Sequence, residues 1–287
     1  MRRAEALGYR AVYVDGDVSM LPSRGDAPVL DGWTATVGYL ASTSRIEIGS
    51  IRLVHHWNTA RLAQAIATVE QIAPGRLRLL AAIGAQATDR RFGLPFPPVA
   101  ERIAWLDEML GALRRLLAGE VVTLRGAHVV LEDACVRPIP RDGRMPIEVA
   151  GAGPRVLRVV ARHADRWDLN VPPTPARVRE AVTRLAEACA EIGRDPAEIG
   201  RSMWVFVRPG ADPGDPALRA EQRRWNPWFR SLTDAELQEA VVAGPTGACR
   251  ERIAELREHL GIDLPVLDLS GLDREVAEAA LELLAGA

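Results

Sequence analysis

The chain has 287 residues, 48% of them hydrophobic, with 36 Arg plus Lys against 38 Asp plus Glu. That is enough to bury a large core in one or two domains; no basic stripe with interleaved aromatics marks a nucleic-acid binder, and no apolar run approaches a membrane span. None of the cations is lysine, which excludes Schiff-base enzymes and a Walker phosphate loop. In chain order, Arg2 to Gly8 reads as a helix ending at glycine, Ala11 to Val14 as a short strand, and Asp31 to Ser42 as a helix with Trp33, Val37 and Leu40 on one face. Ile46 to Leu53 follows as a strand, Thr59 to Ile72 as a helix, and Leu77 to Ile83 as a strand. A loop with Phe92-Gly-Leu-Pro-Phe-Pro-Pro leads into a long helix from Ala100 to Ala118. Val121 to Leu124 and His128 to Leu131 flank Arg125-Gly126-Ala127 as a small hairpin.

Ile147 to Ala150 is a short apolar strand that ends in Gly151-Ala152-Gly153-Pro154. The glycines permit a tight turn and close approach of a ligand, and Pro154 suits a first helical position. Val156, Leu157, Val159, Val160 and Ala164 form the apolar face of the helix that follows. Unpaired N–H groups at such a helix start suit a phosphate; a plain tight turn explains the glycines equally well. Trp167 to Val171 reads as a strand, Pro175 to Glu191 as a helix and Met203 to Val207 as a strand. A polar, Pro- and Trp-rich insertion spans Pro209 to Ser231, followed by helices at Asp234 to Val242 and Thr246 to His259, a strand at Leu264 to Leu269 and a helix at Asp273 to Leu284.

Strand–helix alternation with apolar strands means a parallel sheet covered by helices. An α/β TIM barrel of eight strand–helix units fits best, with an open doubly wound sheet second. The pattern yields about seven strands and opens on a helix, so the first barrel strand is expected to be missing ahead of Arg2 through a misplaced start codon. Two unpaired sheet edges would then favour association. No linker divides the chain, so residues 1–287 are expected to form a single domain. The N-terminus has charge but no apolar stretch or cleavage pattern, and Cys135, Cys189 and Cys249 are scattered; buried thiols in a reducing cytoplasm suit them better than disulfides or a zinc site, and no metal is expected.

Barrel active sites form at the C-terminal ends of the strands. His55 and His56 follow the third strand of the expected barrel there, as proton-transfer groups or as loop histidines. Asp15 and Asp17 end the second strand, as acid–base groups or as turn residues around Gly16. Trp57 and Asn58 would line the same mouth. Asn170, and less so Asp168, would reach the site from the end of the sixth. His163 and Asp165 read as structural, and His128 and His259 as surface positions. The segment Arg223-Arg-Trp-Asn-Pro-Trp-Phe-Arg reads as a lid with substrate contacts or as a packed insertion.

These blocks together resemble the bacterial luciferase-like superfamily of flavin- or coenzyme F420-dependent oxidoreductases. Ala6-Leu-Gly-Tyr-Arg-Ala-Val-Tyr-Val is similar to its first helix and second strand, and Thr43-Ser-Arg-Ile-Glu-Ile-Gly-Ser to the lead into its third. Leu62-Ala-Gln-Ala-Ile-Ala-Thr-Val-Glu-Gln-Ile-Ala-Pro-Gly-Arg-Leu, the Phe92 block with Arg102, the glycine turn with Ala161-Arg-His-Ala-Asp-Arg-Trp, Gly193-Arg-Asp-Pro-Ala-Glu-Ile and Gly244-Pro-Thr-Gly resemble further landmarks in the family's order. The resemblance implies a TIM barrel and an enzyme that uses coenzyme F420 or reduced FMN on a small organic substrate. With flavin it would be a monooxygenase reducing molecular oxygen; with F420, towards which the Gly193 block leans, it would transfer a hydride. It implies a phosphate at Gly151, Ala152, Gly153, Pro154 and Arg155, and a bulge with a non-proline cis peptide near Ser50, Ile51 and Arg52 against the ring. It further implies a homodimer, with the small and apolar residues of the Asp31–Ser42 and Thr59–Ile72 helices as the interface. Three departures stand out: the first strand is absent, Asp15-Gly-Asp-Val lacks the family's Asp-His pair, and Ala82-Ile-Gly-Ala-Gln-Ala-Thr-Asp lacks an aromatic, with Asp89 standing for a later acid. A non-catalytic barrel relative that binds a ligand or nothing is the alternative, and a phosphosugar isomerase-type barrel a third.

Overall fold

The computed structural model describes residues 1–18, 28–85, 87–141 and 143–286. Its first half runs α1 Arg2–Ala6, β1 Ala11–Val14, α2 Gly32–Ser42, β2 Glu47–Leu53, α3 Thr59–Ile72, β3 Leu77–Ala82 and α4 Val99–Leu117. The hairpin β4 Val122–Arg125 and β5 Val130–Ala134 follows, then β6 Ile147–Ala150, α5 Pro154–His163, β7 Arg166–Asp168 and α6 Pro175–Ala190. The chain ends with β8 Gly200–Pro209, α7 Pro216–Trp225, α8 Asp234–Ala240, β9 Val242–Gly244, α9 Thr246–Glu258, β10 Leu264–Asp268 and α10 Arg274–Leu284.

The helix starts follow local chemistry. Asp31, Asn58, Thr174 and Asp215 accept the orphan N–H groups of α2, α3, α6 and α7, and Thr233 with Glu236 makes a capping box on α8. Side-chain carboxylates also gather loop amides. Glu108 of α4 accepts from Ala127, His128 and Val129, which pins the hairpin turn. Glu5 accepts from Ser44, Arg45 and Ile46, and these bonds hold its carboxyl down at about 2.

The strands pair in parallel in the order β1-β2-β3-β6-β7-β8-β10, with β9 extending β8. This is the curled sheet of a TIM barrel. Among the described residues β1 and β10 each pair on one side only. The helical layer spans that interval: Tyr9 ahead of β1 donates its hydroxyl to the Leu281 carbonyl of α10, and Arg3 pairs with Glu282. Alternate strand residues face the helices, including Ile48, Leu79, Ile147, Val149, Trp167, Met203 and Val205, all buried in the main apolar cluster. The others face the barrel interior, which is polar: Tyr13, Glu47, Arg78, Glu148, Asp168 and Ser202 are joined by hydrogen bonds and ion pairs.

Several expectations change. Val242–Gly244 is a strand, not the end of a helix, because α8 stops at Ala240 and the chain turns into a ladder with Val207–Pro209. The strand expected to Val171 ends at Asp168, since Asn170 adopts a left-handed φ of 47°. The insertion expected at Pro209 to Ser231 contains the regular helix α7, opened by Asp215 and Pro216. Cys135 is exposed, while Cys189 and Cys249 are buried. Of the small and apolar residues expected to pair α3 with a second subunit, Leu62, Ala63, Ile66, Ala67 and Val69 are core and Ala60 and Ala65 half-buried, while Arg61, Gln64, Thr68 and Gln71 face outward.

Gly49 shows how tightly the interior is packed. A Cβ there would overlap the Tyr13 ring, whose hydroxyl is held by Glu148 and Arg78. Gly49→Ala should therefore destabilise the fold by about 1–3 kcal/mol, measured by urea denaturation. Parental stability would mean that the ring is free to move.

Candidate active site

The mouth of the sheet, at the C-terminal ends of its strands, gathers groups from three connections. β2 runs into a single 3-10 turn, Val54–His56, and this turn points two imidazoles at the connection after β3. His55 Nε2 lies 2.6 Å from Asp89 Oδ2, and His56 Nε2 lies 3.0 Å from the same oxygen without the alignment of a hydrogen bond. The His55 side chain is 0% exposed, Asp89 2% and His56 9%, so His56 is the member with access to the mouth. Gly84 makes room, since a Cβ there would come within 2.9 Å of His55 Cε1 and its φ of 70° suits glycine. Phe96 packs edge-on against His55 at 5.4 Å, and Arg102 lies 3.9 Å over the Phe96 ring. Arg102 also donates to the carbonyls of Ile83, Gly84 and Pro97, which fixes the loop that carries Asp89. Burial pushes the His55 imidazole below its ordinary value, against the pull of Asp89.

The glycine turn forms as its sequence implies. Gly151 has a φ of 133°, its N–H bonds the Asp168 carbonyl, and its own carbonyl accepts from the Trp167 indole. Gly153 is the N-cap of α5 and Pro154 its first residue. No side chain caps this helix and no acid lies in its first turn. A Cβ on Gly153 would meet nothing within 4 Å. The first-turn amides of α5 therefore face open space, as a cradle for a phosphate requires. Gly151, Ala152, Gly153, Pro154 and Arg155 are thus brought together at one lip of the mouth.

Other anticipated residues fall elsewhere. Asp15 Oδ1 accepts the N–H groups of Gly16 and Asp17, so it shapes its own turn, with Asp17 two residues along. Ser50 and Arg52 are on the helix-facing side of β2. Ser50 Oγ meets Thr36 Oγ1 of α2 at 2.9 Å, and Arg52 donates to the Asp15 carbonyl and lies 5.9 Å over Trp33. Only Ile51 of the three faces the interior. β2 pairs with β3 in continuous register from Ile48 to Leu53, without the expected bulge, and the one cis peptide among the described residues is Arg137–Pro138. Asn170 is exposed beyond β7. Asn58 caps α3 and Trp57 packs on Trp33 at 5.5 Å. In the Arg223–Arg230 segment Phe229 is buried against Phe206 at 5.5 Å, the geometry of a packed insertion at the end of β8. His163 bonds Asp107, and Asp165 bonds Arg114, Arg144 and the Ile147 amide, which ties β6 to α4. Gln86, within the run that lacks the family's aromatic, lies outside the described residues.

Asp168 reaches the barrel interior, as the end of its strand implied, while its partner Glu148 was missed. Asp168, the last residue of β7, is 2% exposed and has its carboxyl near Ser202 Oγ at 3.3 Å. Ser202 also bonds Glu148. Burial, then the neighbouring Glu148 charge, pushes the Asp168 carboxyl well above its ordinary value. Reading Ile147 to Ala150 as an apolar strand passed over Glu148, whose alternation with Ile147 and Val149 turns it inward.

A family model described as luciferase-like monooxygenase matches residues 1–218. Among curated proteins, F420-dependent glucose-6-phosphate dehydrogenase of Beutenbergia cavernae is 30% identical over 232 residues, covering 77% of this chain and 66% of the relative. The enzyme of that name from Kineococcus radiotolerans is 32% identical over 206 residues, covering 71% and 60%. The chain thus spans less than two thirds of the length of these relatives. Among solved structures, an F420-dependent secondary alcohol dehydrogenase in complex with an F420-acetone adduct superposes with a TM-score of 0.81 at 20% identity, over 98% of this chain and 92% of the other. A long-chain alkane monooxygenase gives 0.78 at 15% identity, over 99% and 81%. At these identities the two structures speak for the TIM-barrel fold.

His55 generates a pH test. Its folded-state value lies below the unfolded 6.5, so the unfolded chain binds the proton first as pH falls. The associated stability is complete above the unfolded value and is lost as pH drops towards the folded one. His163, also depressed by burial, adds a second such slope. His55→Gln should flatten the acid limb of stability between about pH 7 and about pH 5, read from urea unfolding. An unchanged limb would show that His55 is not held neutral.

Proposed function

The chain belongs to the luciferase-like monooxygenase family, and we propose that it is an F420-dependent oxidoreductase that takes a hydride from a small hydroxylated substrate. The observation that carries this reading is the pairing, at one barrel mouth, of an uncapped glycine-started helix with a carboxylate-held histidine. The F420-dependent relatives at 30–32% identity support the coenzyme. The site fits a phosphate-bearing coenzyme in one testable respect: the Gly153 cradle is open and its amides lack a side-chain acceptor. The first-turn amides of α5, with Gly151, Ala152 and Arg155 beside them, would hold the phosphate, and Ile51 would face the ring. When bound, coenzyme F420 supplies the hydride acceptor.

His56 is the general base of this reading. Asp89 beside Nε2 leaves Nδ1 to take the hydroxyl proton as hydride leaves the carbinol carbon, which gives a carbonyl product. Asp89, 3.0 Å from Nε2, would stabilise the charged form of the ring, part of the task of the third member in a nucleophile–base–acid array. His55, neutral and buried, is a positioning residue that fixes Asp89. Reduced FMN with molecular oxygen is the second reading, and the same titration separates the two. A single barrel domain over residues 1–287 in the cytoplasm accords with the free cysteines. A homodimer is carried by the family resemblance alone, since α3 turns Arg61, Gln64, Thr68 and Gln71 outward.

Gly153→Asp should lower coenzyme affinity by at least about tenfold, or ~1.4 kcal/mol, in a fluorescence titration. The backbone at Gly153 (φ −71°, ψ 147°) suits any residue, and aspartate is a favoured N-cap, so unfolding should be unchanged or later. Undiminished F420 and FMN affinity in the variant would reduce the turn to a turn. His56→Gln should cut turnover by about a hundredfold or more with coenzyme affinity intact; full activity would dismiss His56 as the base.

A further inference from the structure

Two buried carboxyls inside the barrel stand apart from the mouth histidines. Glu148 Oε1 bonds Ser202 Oγ, and that oxygen lies 3.3 Å from Asp168 Oδ2. All three are nearly closed to solvent at 2%, 0% and 2% exposure. Along the sheet Glu148 pairs with Arg166 while Asp168 pairs with Ala150, so Asp168 is the member nearer the mouth. Glu148 is the member nearer the opposite face. There it lines a cavity of about 460 Å³ with Arg10, Glu47, Arg78, Arg144 and Arg166. The cavity reaches the N-terminal end of the sheet, where the Arg10 and Arg144 side chains are exposed.

The two acids differ in their neighbours. Glu148 Oε2 accepts the Tyr13 hydroxyl at 2.7 Å, the Arg78 Nε donates to that hydroxyl at 3.0 Å, and Arg78 Nη2 lies 3.6 Å from Glu148. Arg78 is shared with Glu47 of β2. Among the described residues no cation pairs with Asp168. Its partners are Ser202, the Asn170 amide and the Trp204 indole. Two carboxyls joined through one hydroxyl do not both ionise readily in a buried site, and Arg78 lies against Glu148 rather than Asp168. Asp168 is the member that holds the proton at rest, its carboxyl pushed well above its ordinary value by burial and then by the neighbouring Glu148.

We propose that Asp168, Ser202 and Glu148 form a proton relay that links the floor of the mouth to water in the cavity on the opposite face of the barrel. Asp168 gives its proton to Ser202 Oγ as the Ser202 hydroxyl proton passes to Glu148. Glu148 then releases that proton to cavity water. The reverse sequence reloads Asp168. No other bond changes, and no oxidant or reductant is involved. This assignment rests on the oxidoreductase reading only for its use, which is to balance charge at the floor when a hydride is delivered above it.

Infrared difference spectroscopy on the coenzyme-free protein is the test. At neutral pH the parent should show a protonated-carboxyl carbonyl band that shifts in D2O, and Asp168→Asn should lose it. Ser202→Ala and the near-isosteric Glu148→Gln should retain the band but slow its D2O shift by at least about tenfold. Matched circular dichroism shows that each variant is folded; His56→Gln, outside the relay, should keep both the band and its rate. An absent band at neutral pH overturns the proposal, as does an exchange rate unaffected by Ser202→Ala and Glu148→Gln. Neither measurement needs coenzyme, so failure to bind F420 would count against the proposed function alone. Where turnover is measurable, Ser202→Ala should shift its pH profile and lower kcat with KM unchanged.

Discussion

Arg78 organises the inside of this barrel. From β3 it bonds Glu47 on β2 and the Tyr13 hydroxyl on β1, and it faces Glu148 on β6. A charge in such a place is tolerable only if its partners surround it, because desolvation costs several kcal/mol per ion. The partners come from three other strands, so the ion network also holds the curl of the sheet. Gly49 is the steric counterpart: it leaves the Tyr13 ring the room it needs to lie against β2 and reach Glu148. Burial raises the Tyr13 hydroxyl far above the usual phenol range, so it stays a proton donor to Glu148 at any working pH.

The mouth above depends on a different economy. One carboxylate, Asp89, serves two imidazoles, and its own loop is fixed by Arg102 through three backbone carbonyls. The arginine thus acts on the histidines at one remove, through the position of Asp89. The family resemblance leads one to seek an Asp-His pair at the end of β1, where the chain has Asp15-Gly-Asp. The structure assembles a histidine–aspartate pair from β2 and β3 instead. Whether the family's pair and this one do the same chemistry is a question of which atoms they present to substrate, not of their place in the chain.

Legibility in the sequence followed the range of the interactions. Helices opened by Asp31, Asn58, Thr174 and Pro175 fall within a residue or two of their expected limits, because capping is local. The glycine turn was legible for the same reason. Strand faces were harder. Ser50 and Arg52 alternate away from Ile51, and nothing nearby says that the polar pair belongs against α2, where Thr36, Trp33 and the Asp15 carbonyl receive it. His55 and Asp89 are 34 residues apart, and only the parallel pairing of β2 with β3 brings them together. β9 was hidden because Val241 and Val242 extend the apolar period of α8 past its true end.

The same two-faced alternation explains how the barrel can carry two buried acids in unlike surroundings. β6 and β7 send Ile147, Val149 and Trp167 into the helical layer, which seals them, and so commit Glu148 and Asp168 to the interior. Once inside, the two carboxyls are separated by their neighbours: arginine and phenol on one side, serine, indole and a backbone amide on the other. Paired groups whose surroundings push their proton affinities apart are the arrangement by which one site keeps an acid and a base at the same pH. An apolar substitution of the pair would remove a desolvation cost. It would also leave Arg78 and Tyr13 without the acceptor that now holds β6 to β1 and β3, so Glu148 has a structural role that Asp168 lacks. Asp168 is therefore the more telling of the two, because its cost is not repaid by any ion pair among the described residues.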